Sequence, residues 1–459
     1  MKDINVWTKY DNKELKALES LNKDYIKFLS KGKTERECIN LLIEQAEEKG
    51  YKDIKNLYAN KSNLKPGDKV YANCMDKTLL MLNIGEDDIN EGMNILGAHV
   101  DSPRLDLKQN PLYEKSEFAY LDTHYYGGIK KYQWVTLPLA IHGVVIKKDG
   151  TKVNIVVGEN TKDPVFFISD LLIHLSSEQM DKKSAKVIEG EQLDVIVGSI
   201  PLKKEDKDAV KANILKLLKK KYSIDEDDFW SAELEIVPAG PAREAGFDKS
   251  MIMSYGHDDR VCTYTSLVAM LDVENPKKTS CSLFVDKEEI GSVGATGMQS
   301  RFFENTMSEV LELMGVYSEL NLRRTLSNSM MLSSDVSAAY DPTFDNVYDK
   351  KNSAMFGMGL VFNKYTGSRG KGGSNDANPE YLAYLRNILH KNNVSFQSSE
   401  LGKVDAGGGG TIAYIMALYG MNVVDSGVPV LNMHAPWEVV SKADVYEAMK
   451  GYKAFLLES

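Results

Sequence analysis

The chain has 459 residues, too long for one hydrophobic core, so roughly two or three domains are expected. Hydrophobic residues make up 43% and charged residues 27%, which excludes wholesale disorder. Acids outnumber bases 66 to 56, a formal charge of −10 that argues against nucleic-acid binding and against binding to an anionic membrane.

Cys38, Cys74, Cys262 and Cys281 are too scattered for a disulfide framework and contain no CxxC pair. Reduced thiols and a cytoplasmic location are expected. The N-terminal MKDINVWTKYDNKELK has no apolar signal core. The most apolar run, 135–146, contains Pro138 and His142 and is too short to span a bilayer.

The first fifty or so residues read as helices. Thr34 and Glu37 fit a capping box, and Ile39, Leu42, Ile43 and Ala46 then follow the helical period. From Asp68 the texture turns to strands, ending in a run that stops in GAHVD at 97–101. Asp149-Gly150 between two β-rich runs predicts a two-residue hairpin. Val210, Ile214, Leu217 and Leu218 predict an amphipathic helix, and Ala232, Leu234 and Ile236 a half-buried strand. PAGP at 238–241 reads as an exit linker. Beyond it, helix from about Asp259, strand at 280–286 and further alternation give an α/β texture. An apolar helix is expected at 411–418 and a loop at 367–378. Ser441 and Asp444 resemble a capping box for a last helix whose apolar face includes Val445, Met449 and Tyr452.

Five short segments hold metal-binding side chains: GAHVD at 97–101, HDDR at 257–260, DKEEIGS at 286–292, SSD at 333–335 and LNMH at 431–434. Each ends an apolar β-rich run or stands beside a helix start, and an α/β sheet gathers such ends along one edge. In HxD, alternate residues face one way, so Asp101 can accept a hydrogen bond from the ring N–H that His99 does not use for metal. Glu288 and Glu289 are adjacent carboxylates that repel, so one needs a cation and the other a different task. If Glu289 binds metal, Glu288 can take a proton from a metal-bound water. Asp258 can bridge two metals, while Asp259 can serve the backbone at a helix start. Ligand counting permits two N/O sites, each with an open position, as hydrolytic zinc, cobalt or manganese requires. Spacing alone does not choose the pairings.

Together, GAHVDSPRLDLK, HDDR, VDKEEIGSVGATG, SSDV and VPVLNMHA resemble the M18 family of metallo-aminopeptidases (aspartyl aminopeptidase-like), in order and across nearly the whole chain. THYYGGIKKYQW at 123–134 is similar to that family's Tyr-Gly-Gly stretch. The resemblance implies one metal on His99, Asp258 and Asp335, and a second on Asp258, Glu289 and His434. It implies Glu288 as general base, with Asp101 supporting His99. It also implies a fold: a catalytic mixed-sheet α/β domain with helices on both faces, at 1–102 and 249–459, interrupted by a β-rich dimerisation domain at 103–248. Dimers that build a tetrahedral dodecamer are implied as well. His174 matches the family's histidine that enters a neighbouring subunit's active site.

Two departures bear on specificity. GHDD stands at 256–259 where many members have Arg-Leu-Asp-Asn, and DAGGGGT at 405–411 where they have Asp-x-Pro-Cys-Gly-Ser-Thr. In the latter, Gly408 and Gly409 let backbone amides approach a substrate. No Gly-Lys-Ser/Thr follows, so a nucleotide loop is not expected.

The reading is a dinuclear metal-dependent aminopeptidase releasing single N-terminal residues from peptides, with Asp and Glu as the family's preference, most readily on zinc. Two rivals remain: a co-catalytic metal deacylase of N-acyl amino acids, and a metal-stabilised scaffold without turnover.

Overall fold

The computed structural model describes residues 4–60, 62–367 and 370–458. The chain divides into two compact units. One comprises 1–101, 242–433 and 438–459; the other comprises 102–241 and 434–437. Among the described residues, no helix is long and apolar enough to cross a membrane.

The first unit is built on a nine-stranded mixed sheet. Its centre holds four parallel strands, Ser280–Val285, Asn94–His99, Met330–Ser334 and Asn422–Gly427, in that spatial order. Their residues read as near-continuous apolar runs because both faces are covered. Alternate side chains go to opposite cores. Leu96, Ala98, Phe284 and Leu332 join a core with helices Asn12–Lys31, Glu35–Glu48, His257–Leu271 and Lys442–Leu457. Ile95, Leu283, Val285 and Met331 join a second core with helices Phe302–Leu313 and Glu319–Asn328. Helices therefore cover both faces. A five-stranded sheet, which includes Met251–Ser254 and Glu438–Ser441, belongs to the same unit.

Local signals act as the sequence suggests in several places. The Thr34–Glu37 capping box forms in full. At the last helix the outcome differs. Ser441 is the N-cap but makes no side-chain cap, and Asp444 turns inward to accept the amides of Gly357 and Gly359, each at 2.8 Å. Two buried amides are stronger partners for a carboxylate than one solvated helix end. The apolar helix expected at 411–418 shortens to Ala413–Ala417. Residues 368 and 369 of the expected loop lie outside the described residues.

The second unit is a six-stranded antiparallel sheet with the amphipathic helix Ala209–Tyr222. Strands Leu139–Ile146 and Lys152–Val157 pair as a hairpin, but its turn is wider than two residues. The Lys147 amide donates to Thr151 O at 2.9 Å, and Gly150 takes the left-handed position at φ 84°. That is the form of a three-residue turn ending in glycine.

Candidate metal centre

Three of the parallel strands deliver the site. His99 is the last residue of Asn94–His99, and Asp335 directly follows Met330–Ser334. After Ser280–Val285 the chain passes through Asp286 and Lys287 into the single turn Glu288–Ile290. The strands run parallel, so these ends meet on one edge. Asp258 comes from the start of the helix His257–Leu271, where Asp258 and Asp259 have non-helical backbone angles and share a cis peptide bond.

The imidazole is central. His99 Nε2 lies 3.2 Å from Asp258 Oδ1, 3.8 Å from Asp335 Oδ1 and 3.9 Å from Glu288 Oε2. One ligand atom from each of His99, Asp258 and Asp335 falls within 4.8 Å of the others, as also holds for His99, Glu288 and Glu289. His99 Nδ1 faces Asp101, 3.0 Å from its backbone O and 3.3 Å from Oδ1. The carbonyl is thus the nearer partner, where the HxD spacing suggests the carboxylate. The Asp101 carboxylate also accepts the amides of Glu288 at 3.2 Å and Glu289 at 3.1 Å. It clamps the turn that carries both glutamates.

The turn is closed further by Ser292 N donating to Lys287 O at 2.7 Å and Gly291 N to Glu288 O at 2.9 Å. Asp286, at its entrance, accepts from the Lys287 amide at 2.8 Å and the Thr296 hydroxyl at 2.6 Å. Burial pushes the Asp286 carboxyl up to about 7, aided by Glu35 and Asp101 and opposed by Lys77.

The charges show what the cluster needs. Burial alone would lower the His99 pKa, but Asp101, Asp258 and Asp335 outweigh it and hold it well above the ordinary value. Burial pushes Glu288 up to about 8, against the pull of His99 and with Asp335, Asp101 and Asp258 adding to the rise. Burial likewise raises Asp335, with Asp258 contributing. Buried carboxylates that raise one another are stabilised by a cation. One imidazole nitrogen with carboxylate oxygens is a donor set that suits a divalent transition metal, zinc included.

Several supports lay outside the sequence reading. Glu438, buried at the start of Glu438–Ser441, accepts the Asp258 amide at 3.0 Å. Its only signal was an acid opening an apolar strand. The Thr263 hydroxyl donates to His99 O at 2.8 Å. Asp259 does not cap the helix start as expected: the helix His257–Leu271 has no side-chain cap, and the Asp259 carboxylate instead accepts the His99 amide from the neighbouring strand at 3.4 Å.

The remaining candidates stand elsewhere. Gly408 and Gly409 lie in a loop of the first unit, and Gly409 O accepts the Gly367 amide at 2.6 Å. His174 and His434 belong to the second unit. His174 is exposed in the short turn Ile173–Leu175, not a core residue of an apolar helix. His434 Nδ1 lies 2.8 Å from Gly128 O.

A doubly covered mixed sheet whose parallel central strands present imidazole and carboxylates at their ends is an arrangement suited to a metal-dependent hydrolase. Comparison with known proteins specifies which. The family described as Aminopeptidase I zinc metalloprotease (M18) matches residues 28–456. A Clostridium acetobutylicum protein named as a probable M18 family aminopeptidase 1 is 63% identical over 453 residues, covering 98% of this chain and 97% of that one. The crystal structure of an M18 aminopeptidase from Thermotoga maritima superposes with a TM-score of 0.95 at 43% identity, covering 100% of both chains. A more distant fold match, with a TM-score of 0.76 at 20% identity over 94% of this chain and 95% of that one, is an S. cerevisiae mApe1 solved as a dodecamer. The chain belongs to the M18 family of aminopeptidases, which are peptidase hydrolases.

Proposed function

We propose that this aminopeptidase works with two divalent ions, most readily zinc. His99, Asp258 and Asp335 would hold one. Asp258, Glu289 and His434 would hold the other, with Asp258 shared. With Nδ1 anchored on Gly128 O, His434 would ligate through Nε2. Held by these residues, two divalent ions would supply Lewis acidity and a water of lowered pKa.

The chain's own residues do the rest. Glu288 accepts the proton of the attacking water and returns it to the leaving amine nitrogen, so the carboxylate is regenerated. The observation that carries this role is position: Glu288 sits 3.9 Å from His99 Nε2 on a turn clamped by Asp101, beside the residues proposed to hold metal. Asp101 keeps the turn and His99 in register. The acidic surroundings favour a free N-terminal ammonium over a blocked one. Gly408 and Gly409 contact the substrate backbone. An acidic first residue is the proposed preference, resting on the family resemblance.

We infer that residues 103–248 form a dimerisation domain and that dimers build a larger assembly. Leu171, Leu172, Ile173 and Leu175 of the second unit are 44%, 54%, 72% and 67% exposed, an apolar run that supports a subunit interface. In such an assembly His174 would reach a neighbouring active site. The free cysteines fit a reducing cytoplasmic setting.

The test is metal-free enzyme reconstituted with Zn, Co or Mn and assayed on Asp, Glu and Leu aminoacyl chromogenic substrates beside N-acetylated counterparts. Release from the free-amino substrates alone is expected. Release only from the N-acyl set would mean a deacylase, and release from none a scaffold.

A further inference from the structure

Position 257 holds histidine where many members of the family have leucine, and the proposed reaction does not use it. His257 opens the helix His257–Leu271 and is fully buried, as is Tyr25 of the helix Asn12–Lys31. A buried imidazole is costly unless its ring nitrogens are met. Both are met here. Nε2 lies 3.1 Å from Ile252 O in the strand Met251–Ser254, and Nδ1 lies 2.8 Å from the Tyr25 hydroxyl. A carbonyl can only accept, so Nε2 carries the ring hydrogen. Nδ1 of the neutral ring then accepts from Tyr25. The Tyr25 ring is itself stacked on Tyr264, with centroids 5.2 Å apart, which fixes the donor.

The next residue is Asp258, whose Oδ1 lies 3.2 Å from His99 Nε2. Asp258 and Asp259 have non-helical backbone angles, so regular helix geometry does not set their place. Partners from other elements do. The Asp258 amide donates to Glu438 at 3.0 Å, and Arg260 donates to Val100 O at 3.3 Å and to Lys33 O at 3.0 Å. His257 supplies the tie on the N-terminal side, and it reaches a strand and a helix at once. Consecutive Cα atoms stand about 3.8 Å apart across a trans peptide, so a shift at 257 is passed on to Asp258.

We propose that Tyr25 and His257 are positioning residues which, through the main chain, hold the Asp258 carboxylate between two metal positions. The proposal rests on the reading of Asp258 as the shared ligand. A carboxylate that serves two ions must meet both at once, so it tolerates less displacement than a ligand to one. A leucine at 257 would fill the space and make neither bond. The histidine therefore adds direction where packing alone adds only volume.

The variants are Tyr25→Phe, His257→Phe, the two combined, and His257→Asn with and without Tyr25→Phe, all in the full-length enzyme. The readouts are zinc affinity, the visible spectrum of the cobalt-loaded form, kcat, KM and Tm. Tyr25→Phe deletes one hydroxyl and keeps the ring. It is expected to weaken the looser zinc about tenfold, to lower kcat about tenfold with KM changed less than about twofold, and to alter the cobalt spectrum. His257→Asn keeps an acceptor near the place of Nδ1. It is expected to stay within about threefold of wild type, but only while Tyr25 is present. The combined Phe variant replaces both partners of the buried bond with apolar rings, so it is expected to regain much of the Tm that either single variant loses. Zinc affinity and kcat are not expected to follow. Recovery of kcat together with Tm would mean a structural role alone and would overturn the proposal. So would wild-type zinc affinity and cobalt spectrum in Tyr25→Phe, the mildest change, which serves if His257→Phe fails to fold. The metal readouts are independent of turnover. If wild type cleaves nothing on the aminoacyl panel, the aminopeptidase reading fails while the positioning role is still judged by zinc and cobalt. Unchanged zinc binding in Asp258→Asn would remove the shared ligand and the positioning role with it.

Discussion

The Asp101 carboxylate accepts the Glu289 amide at 3.1 Å across 188 positions of sequence, and its other oxygen takes the Glu288 amide at 3.2 Å. The residue that faces the His99 ring therefore also sets the backbone of both glutamates. Histidine support and acid placement are one structural unit.

This unit predicts the behaviour of Asp101→Asn. The amide keeps one acceptor but turns an NH2 toward a backbone N–H, so one glutamate amide loses its partner. Zinc affinity is expected to fall by about 10–100-fold, the usual cost of losing an outer partner of a metal ligand. Competition against a chromogenic chelator measures it. Affinity within about twofold of wild type would mean that Asp101 does not organise the site.

Metal removal tests the cluster from the stability side. If the proposed site holds zinc, chelation would leave the mutually repelling carboxylates at Asp258, Asp335 and Glu288 without a cation nearby. A ligand held at about 1,000 times its Kd stabilises by about 4 kcal/mol, so the chelated enzyme is expected to melt several degrees lower. Asp258→Asn is expected to show a much smaller zinc-dependent shift. Equal shifts in the two proteins would place the bound zinc elsewhere.

Asp444 gives a pH prediction remote from the metal centre. Burial pushes its carboxyl up to about 7, while the Gly357 and Gly359 amides pull the other way. The folded state then holds a proton that the unfolded chain releases near pH 4. Its contribution to stability is full below that pH, declines as pH rises toward 7, and is flat beyond. The decline is on the order of 4 kcal/mol for a shift of roughly three pH units. Asp444→Asn removes this share of the slope, at the cost of one amide acceptor at every pH. Urea midpoints at pH 4.5, 6 and 7.5 are expected to vary less in the variant than in wild type. An unchanged slope would mean that Asp444 ionises alike in both states.

The same residues show how far the sequence could be read. The strand ends that carry His99, Glu288 and Asp335 were legible because buried parallel strands leave continuous apolar runs, and polar residues stand out where the runs stop. The Thr34 cap was legible because both partners are local. Asp444 was misread for the converse reason: its partners, Gly357 and Gly359, lie 87 and 85 positions away. Glu438 was missed on the same grounds, since the amide it accepts belongs to Asp258, 180 positions earlier. Local chemistry leaves a pattern in sequence, whereas a buried acid's distant partner leaves none. The grouping of His99, Asp258 and Asp335 also came from family likeness, because spacing cannot say which strand ends adjoin.

The most direct test of the account is Glu288→Gln, with kcat and zinc content measured on the same preparation. The amide preserves size and the backbone bond to Asp101 but cannot take the water's proton. Turnover is expected to fall by about 10²–10⁴-fold while zinc content stays at the wild-type level. Wild-type turnover in a zinc-loaded Glu288→Gln enzyme would contradict the account.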